Sequence, residues 1–382
     1  MSGSCRPSFW APAEAACLSG PLTPVVWIYL RVMTLRRLNE NPLLTPADLS
    51  PTQLGVEVMC TLNPAAVRHG GQTLLLVRVG QRPIPEKGYV AYLRFNLARG
   101  EMEVCRIRAD DPDLTVPDGR KYFYRGRMVL SSLSHLRIAR SDDGKHFTFD
   151  AAPAILQTTP YEAYGIEDAR ITMLDGRYLI TYTAVSDRGV CVAMSSTKDW
   201  VTFEHHGLIF PPFQKDVSIF PEKVGGLYVC RHRPYKSEFN SACIWTAWSP
   251  DLLSWGRHSM TLPPTAGTWE SGRVGAGAPP IRTDAGWLEI YHAADDGGRY
   301  CLGAMLSDLD APGTVLSRSV RPVLEPESPY ELAGVYGNCV FSNGLVVEDD
   351  GRLVVYYGAA DRICAAAATT VEEMVAAARN DL

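Results

Sequence analysis

Several things are missing from this chain of 382 residues, and each absence closes off a class of protein. There is no excess of positive charge: 37 Lys and Arg against 42 Asp and Glu leave a formal charge of −5. No global field therefore draws in nucleic acid or an anionic membrane, and any anion site must be local. The 10 cysteines contain no CxxC pair and no zinc-ligand spacing. They read as reduced apolar thiols of a cytosolic protein without a structural metal. The apolar run near the start, VVWIYL (25–30), is far shorter than the roughly 20 residues a membrane span needs. It lacks the basic lead and small-residue cleavage pattern of a signal peptide. No GxSxG elbow and no HExxH pair occur, which leaves a serine hydrolase or zinc protease without support.

Helical periodicity is nearly absent from residue 55 onward, and short aliphatic-aromatic runs introduced by turns take its place. With 46% hydrophobic residues, 32 glycines and 27 prolines, the composition is globular and rich in turns. The length suits two or three domains or one large all-β domain. The run recurs as GGQTLLLVRV (70–79), DGRYLITYTAV (175–185), GGLYVCRHR (225–233), AGWLEIYHAAD (285–295) and DGRLVVYYGAAD (350–361). A second element, a Ser or Asp turn before an aromatic, recurs as SDDGKHFTF (141–149), SSTKDWVTF (195–203) and SPDLLSWG (249–256). Repeats of this kind favour a β-propeller, with a two-sheet sandwich as the alternative. TTVEEMVAAARNDL (369–382) is expected to be a C-terminal helix with a Thr cap. Residues 1–32 read as an extension or a start-site artefact, since MTLRRLNENPLLTP from Met33 resembles a natural beginning.

Three segments carry candidate chemistry. In YGIEDARIT (164–172), strand alternation predicts that only one of Glu167 and Asp168 faces a pocket and that Asp168 and Arg170 share a face. An arginine so close lowers a carboxyl pKa, which opposes an acid role unless substrate compensates. A plain surface ion pair is the competing reading. QKDVSIFPEK (214–223) followed by YVCRHRPYK (228–236) brings Lys215, Arg231, His232 and Arg233 into neighbouring strands. Arg78 is a further candidate. Such local basic density binds phosphate through charge-assisted hydrogen bonds, or is simply a solvated rim. The third group is Trp269, Glu270, Arg273, Tyr291, His292 and Asp295. Aromatic faces beside carboxylates and an arginine suit a sugar, although His292 reads equally well as a core histidine. The glycine-rich GRVGAGAPP (272–280) is not GxGxxG and gives little support to a nucleotide cradle.

Taken together, NENPLLTP (39–46), LNPAAV (62–67), LLLVR (74–78), GIEDARI (165–171), QKDVSIFPEK, HRP (232–234), WESGRVGAGAPPI (269–281), YHAAD (291–295), YGNCVFSNG (336–344) and YGAAD (357–361) closely resemble glycoside hydrolase family 130, the β-mannoside phosphorylases and related β-mannosidases. The resemblance implies a five-bladed β-propeller over 33–382 with the active site in its central cavity. It also implies inverting attack by inorganic phosphate on a terminal β-mannoside, giving α-mannose 1-phosphate. By the family's EDPR motif, Asp168 corresponds to the catalytic acid, acting through the sugar's own 3-hydroxyl. Arg78, Lys215, His232 and Arg233 fall where the family gathers phosphate-binding groups. Asn63, Asp295 and Asp361 look like sugar-site residues, and Arg170 and Asp216 are counted with them. Ala169 stands where the family usually has proline, and Gln214 where asparagine is more common.

The expected partners are a β-mannoside disaccharide or oligosaccharide and phosphate as co-substrate, with no other cofactor, no metal, no nucleic acid and no membrane. The N-terminal region and the final helix are candidate contacts for a homo-oligomer. A β-mannosidase of the same fold would need Glu270 or Glu222 to activate water. A non-catalytic sugar-binding propeller would keep Trp269 and the carboxylates without turnover. The choice of leaving-group sugar is assigned to loops such as 104–135 and 234–243.

Overall fold

The five recurrent runs all become the second strand of a four-stranded antiparallel unit, which is why they look alike. In the computed structural model, which describes residues 35–239 and 241–381, the chain is nearly all β. The first unit comprises Val56–His69, Gln72–Pro83, Leu133–Ser141 and Thr148–Phe149. The second comprises Gly165–Leu174, Arg177–Ser186, Gly189–Thr197 and Phe203–Phe210. Gln214–Ile219, Tyr228–Pro234, Ile244–Ser249 and Gly256–Leu262 form the third. The fourth holds Arg273–Ala276, Gly286–Ala294, Tyr300–Ser307 and Val315–Arg318, with Ile281–Thr283 beside it. The fifth is built from Val340–Val347, Arg352–Ala359 and Ile363–Thr370, and its outer strand is Arg36–Arg37 from the other end of the chain. The first and last strands of the described residues are thus tied into one sheet. The expectation for residues 1–32 lies outside the described residues.

The Ser or Asp turns join the third and fourth strands of their units. Asp143 accepts from the backbone N–H of Lys145 and His146, Asp199 from Val201 and Thr202, and Asp251 from Leu253 and Ser254. These are Asx turns, in which a short carboxylate replaces a backbone acceptor. Asp308 does the same for Asp310 and Ala311 in the fourth unit. That copy escapes the sequence pattern because no aromatic follows it closely.

Core packing lies between units. Leu136, Ile138 and Leu76 of the first unit pack with Ile166, Ile180 and Ala193 of the second. Leu179 and Met194 of the second meet Val217 and Ala247 of the third. Ile244 and Leu262 of the third meet Val274 and Tyr291 of the fourth. Leu288 and Leu302 of the fourth join Val355 and Ala365 of the fifth, while Val354 and Tyr356 of the fifth pack on Leu75 and Val77 of the first. Each sheet therefore buries both faces, so its inner strands read as continuous apolar runs instead of alternating ones. Truncating a side chain such as the fully buried Leu75 to alanine costs about 2–5 kcal/mol.

The expected C-terminal helix is Val371–Arg379, with Thr370 Oγ1 accepting from Glu373 N at 3.1 Å and Asn380 ending it in the left-handed region. Its apolar side, Met374, Ala377 and Ala378, packs on the core shared by the fourth and fifth units. Between the second and third strands of the first unit the chain adds a hairpin, Tyr89–Asn96 with Glu101–Arg108, and a small sheet of Leu114–Asp118, Lys121–Tyr124 and Arg127–Leu130.

Candidate active site

Three inner strands share one irregularity. The register against the second strand slips between Leu62 and Ala65, between Glu167 and Arg170, and between Lys215 and Ser218. At the slips stand Asn63, Asp168 and Asp216, with φ of 47°, 51° and 55°. Asn and Asp are the side chains that best tolerate this left-handed backbone, and a bulge re-aims the residue that occupies it. All three line one cavity of about 410 Å³, together with Arg78, Lys215, Arg233, Arg273 and Asp361.

Of the two neighbouring carboxylates only Asp168 lines the cavity, as expected, yet the bulge leaves both within reach of one guanidinium: Arg78 donates through Nη2 to Glu167 Oε1 at 2.8 Å and through Nη1 to Asp168 Oδ1 at 3.1 Å. Asn63 Nδ2 donates to the same Asp168 oxygen at 2.9 Å, and Lys215 Nζ lies 3.4 Å from Glu167 Oε2. Burial acts to raise the Asp168 carboxyl. Arg78, then Lys215 and the Asn63 hydrogen bond, outweigh it and hold the group below the usual carboxylate range. Burial likewise pulls on the Lys215 ammonium, but Tyr235, Glu167 and the two aspartates keep it charged.

Arg170 does not share the cavity with Asp168. Its buried guanidinium runs beneath the site, donating to the Asp168 carbonyl at 2.9 Å, Ala276 O at 2.7 Å, Gly277 O at 3.0 Å and Asp216 Oδ1 at 3.1 Å. It ties the second, third and fourth units together. Asp216 is held from several sides, since Arg233 Nε donates to its Oδ2 at 2.5 Å and His292 Nε2 lies 3.2 Å from the same oxygen. Burial opposes ionisation of Asp216, and Arg233 and Arg170 overcome it, leaving it well below its ordinary value. Gly275 permits this packing, because a side chain there would collide with both His292 and Asp216. The glycine-rich segment thus serves close approach of strands.

Asp361 follows Arg352–Ala359 with φ of 51°. Burial, which outweighs the opposing pull of Arg78, pushes its carboxyl up to about 6. On the far wall Arg273 Nη1 donates to Tyr300 Oη at 3.0 Å.

Seven of the expected residues do not line this cavity: Arg170 and His292, which lie behind it, and His232, Trp269, Glu270, Tyr291 and Asp295. Along Tyr228–Pro234 alternation turns His232 to the face opposite Arg233. There its ring stacks on Phe210 at 4.9 Å, pairs with Gln214 Oε1 at 2.9 Å, and faces His258 Nδ1 at 3.1 Å. Burial pushes His232 down to about 3, so it is neutral and unsuited to holding an anion. The third group is divided by the same alternation: Tyr291 and His292 point to opposite faces. Tyr291 Oη donates to Glu270 Oε2 at 2.8 Å, Arg318 pairs with Glu270 Oε1 at 3.1 Å, and Trp269 stacks on Tyr291 at 5.9 Å. Asp295 accepts from Arg299 N at 3.0 Å and closes its own turn. Glu222, considered with Glu270 for activating water, pairs at 2.6 Å with Arg282, both of them largely exposed. Neither lines the cavity.

Residues not singled out from sequence also line the cavity, among them Arg120, Tyr235, Tyr300 and Tyr336. Tyr336 lay within YGNCVFSNG and was legible as part of that motif. Arg120 comes from the inserted sheet, inside the segment 104–135 expected to choose the leaving-group sugar, although the residue itself was not singled out. Arg231, read with the basic cluster, is fully buried and pairs with Glu289 through Nε at 2.9 Å.

Two buried carboxylates that share one arginine beside further cations suit group transfer to an anionic second substrate. The chain belongs to glycoside hydrolase family 130: the family model, described as beta-1,4-mannooligosaccharide phosphorylase, matches residues 121–380. A beta-1,2-mannobiose phosphorylase of Listeria innocua is 42% identical over 334 residues, covering 86% of this chain and 94% of that protein. A 1,2-beta-oligomannan phosphorylase of a Thermoanaerobacter species is 44% identical over 236 residues, covering 60% of this chain and 77% of its own. The structure of the Listeria innocua enzyme in complex with beta-1,2-mannobiose superposes with a TM-score of 0.87 at 40% identity, covering 91% of this chain and all of that one.

Proposed function

We propose that the chain is an inverting β-mannoside phosphorylase that cleaves β-1,2-mannobiose or short β-1,2-mannans with inorganic phosphate. The observation that carries the reading is the single guanidinium of Arg78 bonded to both Glu167 and Asp168 at the edge of a cavity that also holds Lys215 and Arg233. The β-1,2 linkage follows the relatives that cover most of this chain.

In this reading Arg78, Lys215 and Arg233 hold phosphate on one side of the sugar. A phosphate oxygen attacks the anomeric carbon from the face opposite the glycosidic oxygen, and the bond to that oxygen breaks. The leaving oxygen takes its proton from Asp168 by way of the sugar's 3-hydroxyl, so Asp168 ends ionised and the products are α-mannose 1-phosphate and the shortened sugar. Phosphate arrives already anionic and needs positioning and charge screening, so no second carboxylate has to activate it. Inverting hydrolysis would need one. Asn63 steadies the acid, while Asp361 and Arg273 face the sugar. Asp216 orients Arg233, with Arg170 and His292 behind it.

The five units are read as the blades of a five-bladed propeller forming one catalytic domain. Cores shared by each consecutive pair, and by the fifth with the first, support this closure.

The test incubates the protein with β-1,2- and β-1,4-mannobiose, with and without phosphate, and identifies products by mass and anomeric configuration. Phosphate-dependent α-mannose 1-phosphate from the β-1,2 substrate is expected. Free mannose formed equally without phosphate would overturn the reading in favour of a hydrolase.

A further inference from the structure

A second cavity lies apart from the central one. It measures about 630 Å³ and shares no lining residue with the catalytic cavity. One wall is the insertion, with residues 92–98 from its hairpin and 124–129 from its small sheet. The other wall belongs to the second unit and the chain leading into it, through Pro160, Ala163, Tyr164, Asp187 and Arg188. The backbone N–H of Phe95 donates to Ala163 O at 3.1 Å and joins the two.

Charge in this cavity is lopsided. Arg94, Arg125, Arg127 and Arg188 line it against one carboxylate, Asp187, in a chain whose formal charge is −5. The ion pairs these arginines make are loose. Arg125 Nε lies 3.7 Å from Asp113 and Arg127 Nη1 3.7 Å from Asp187, with both arginine side chains exposed. Arg94 pairs with Glu103 at 3.1 Å, outside the lining. Arg188 pairs with no carboxylate among the described residues, and its guanidinium sits over the Tyr161 ring, 5.4 Å from the centre. Exposed pairs of this kind contribute little, so phosphate oxygens can take the place of the carboxylates, and a guanidinium binds them bidentately.

The rest of the lining is aromatic. Tyr92, Phe95, Tyr124 and Tyr164 face the same space, and the Arg125 guanidinium already lies over the Tyr124 ring at 5.0 Å. A ring can pack on these faces while its phosphate meets the guanidinium heads. The volume is within the usual range for organic ligands, roughly 300–1,000 Å³, and an inorganic anion alone would leave most of it unfilled.

We propose that this cavity binds an organic phosphate, a phosphate or diphosphate ester carried on a sugar or a nucleoside, and that the bound molecule regulates the catalytic site. Two structural links connect them. The small sheet that supplies Arg127 also carries Arg120 into the catalytic cavity. Tyr164 leads directly into Gly165, which pairs with Ser134; Ser134 Oγ accepts from Arg78 Nε at 3.2 Å, and that guanidinium is bonded to Asp168. A molecule held by Arg127 on one wall and Arg188 on the other favours the arrangement in which the insertion is docked. Binding at this cavity stands by itself, whereas the regulatory role rests on the phosphorolysis reading above.

The test titrates ADP and α-mannose 1-phosphate separately, by calorimetry, into the wild type, Arg127→Ala/Arg188→Ala and Ala98→Trp. The double variant removes one cation from each wall, and the tryptophan fills the cavity from its rim. Thermal unfolding checks that both fold. For a nucleotide site, ADP binds the wild type one-to-one and each variant at least about 10-fold more weakly. For a sugar-phosphate site, the wild type takes two equivalents of α-mannose 1-phosphate and each variant only the one in the catalytic cavity. Either result supports the proposal. No binding of ADP together with one equivalent of the sugar phosphate in all three proteins, or binding undiminished in the variants, would overturn it. The probe that binds is then added to initial-rate assays. It is expected to change KM for β-1,2-mannobiose at least about twofold more in the wild type than in the double variant, the two having equal KM without it. Equal changes would overturn the regulatory role. Absence of phosphate-dependent turnover would instead sink the phosphorylase and leave the calorimetric result standing.

Discussion

Arg78 and Asp168 are bonded to each other, Nη1 to Oδ1 at 3.1 Å, although one belongs to the groups assigned to phosphate and the other is the proposed acid. While that contact is made, the carboxyl is held below its ordinary value and is ionised at neutral pH, the wrong state for a proton donor. An anion that takes up the charge of Arg78 and Lys215 removes what keeps Asp168 deprotonated, so anion binding should load the acid. Sulfate, which carries no titratable proton at neutral pH, is the clean probe. Calorimetry in buffers of different ionisation enthalpy should show proton uptake on sulfate binding by the wild type and less by Asp168→Asn. Equal uptake in the two proteins would remove this coupling.

Asp168→Asn should keep the fold and bind sugar while kcat falls about 10²–10⁴-fold, the usual contribution of a general acid. The hydrogen bond from Asn63 to Oδ1 can still be accepted by the amide oxygen, so circular dichroism and sugar titration should match the wild type. Undiminished turnover would take the acid role away from this residue.

Arg233 and Asp216 make opposite demands. Arg233→Ala removes a cation at the cavity edge but leaves Asp216 paired with Arg170 at 3.1 Å. The expected result is a rise in KM for phosphate of about 10-fold or more at nearly unchanged thermal stability. Asp216→Ala strands the buried Arg170, and breaking such a pair costs about 3–5 kcal/mol. Urea titration of both variants separates the effects, and equal stability of the two would refute the account of Asp216 as the anchor.

Asp361 gives a pH signature. Its folded-state value of about 6 lies above its ordinary 3.8, so the folded chain binds this proton more tightly than the unfolded one. The resulting stability is fully present below the unfolded value and is lost as pH rises through about 6. Asp361→Asn never ionises, so relative to wild type it should gain on the order of 2–3 kcal/mol between pH 4 and pH 7.5. Denaturant unfolding at both ends of that range measures it, and a difference that does not change with pH would count against a buried, raised carboxyl.

Much of this was legible along the chain, because repetition is a property of sequence. A strand that packs on both faces must read as an apolar run, and a tight turn must supply Gly or an Asx acceptor, so five runs and three turns located the units before any coordinates. The site motifs were legible too, since Asn63, Arg78, Asp168, Lys215, Asp216, Arg233, Arg273 and Asp361 all line one cavity. Tertiary structure decided which way side chains face. Strict alternation sends Glu167 and Asp168 apart, and a one-residue bulge, invisible in local pattern, brings both onto Arg78. The same alternation, unbroken in Tyr228–Pro234 and Gly286–Ala294, carried His232 and Tyr291 away from the cavity. Arg120 shows the other limit. Its place over Tyr336, 216 positions along the chain, depends on how an inserted sheet folds back across the units, and nothing in the neighbouring residues encodes such a distance.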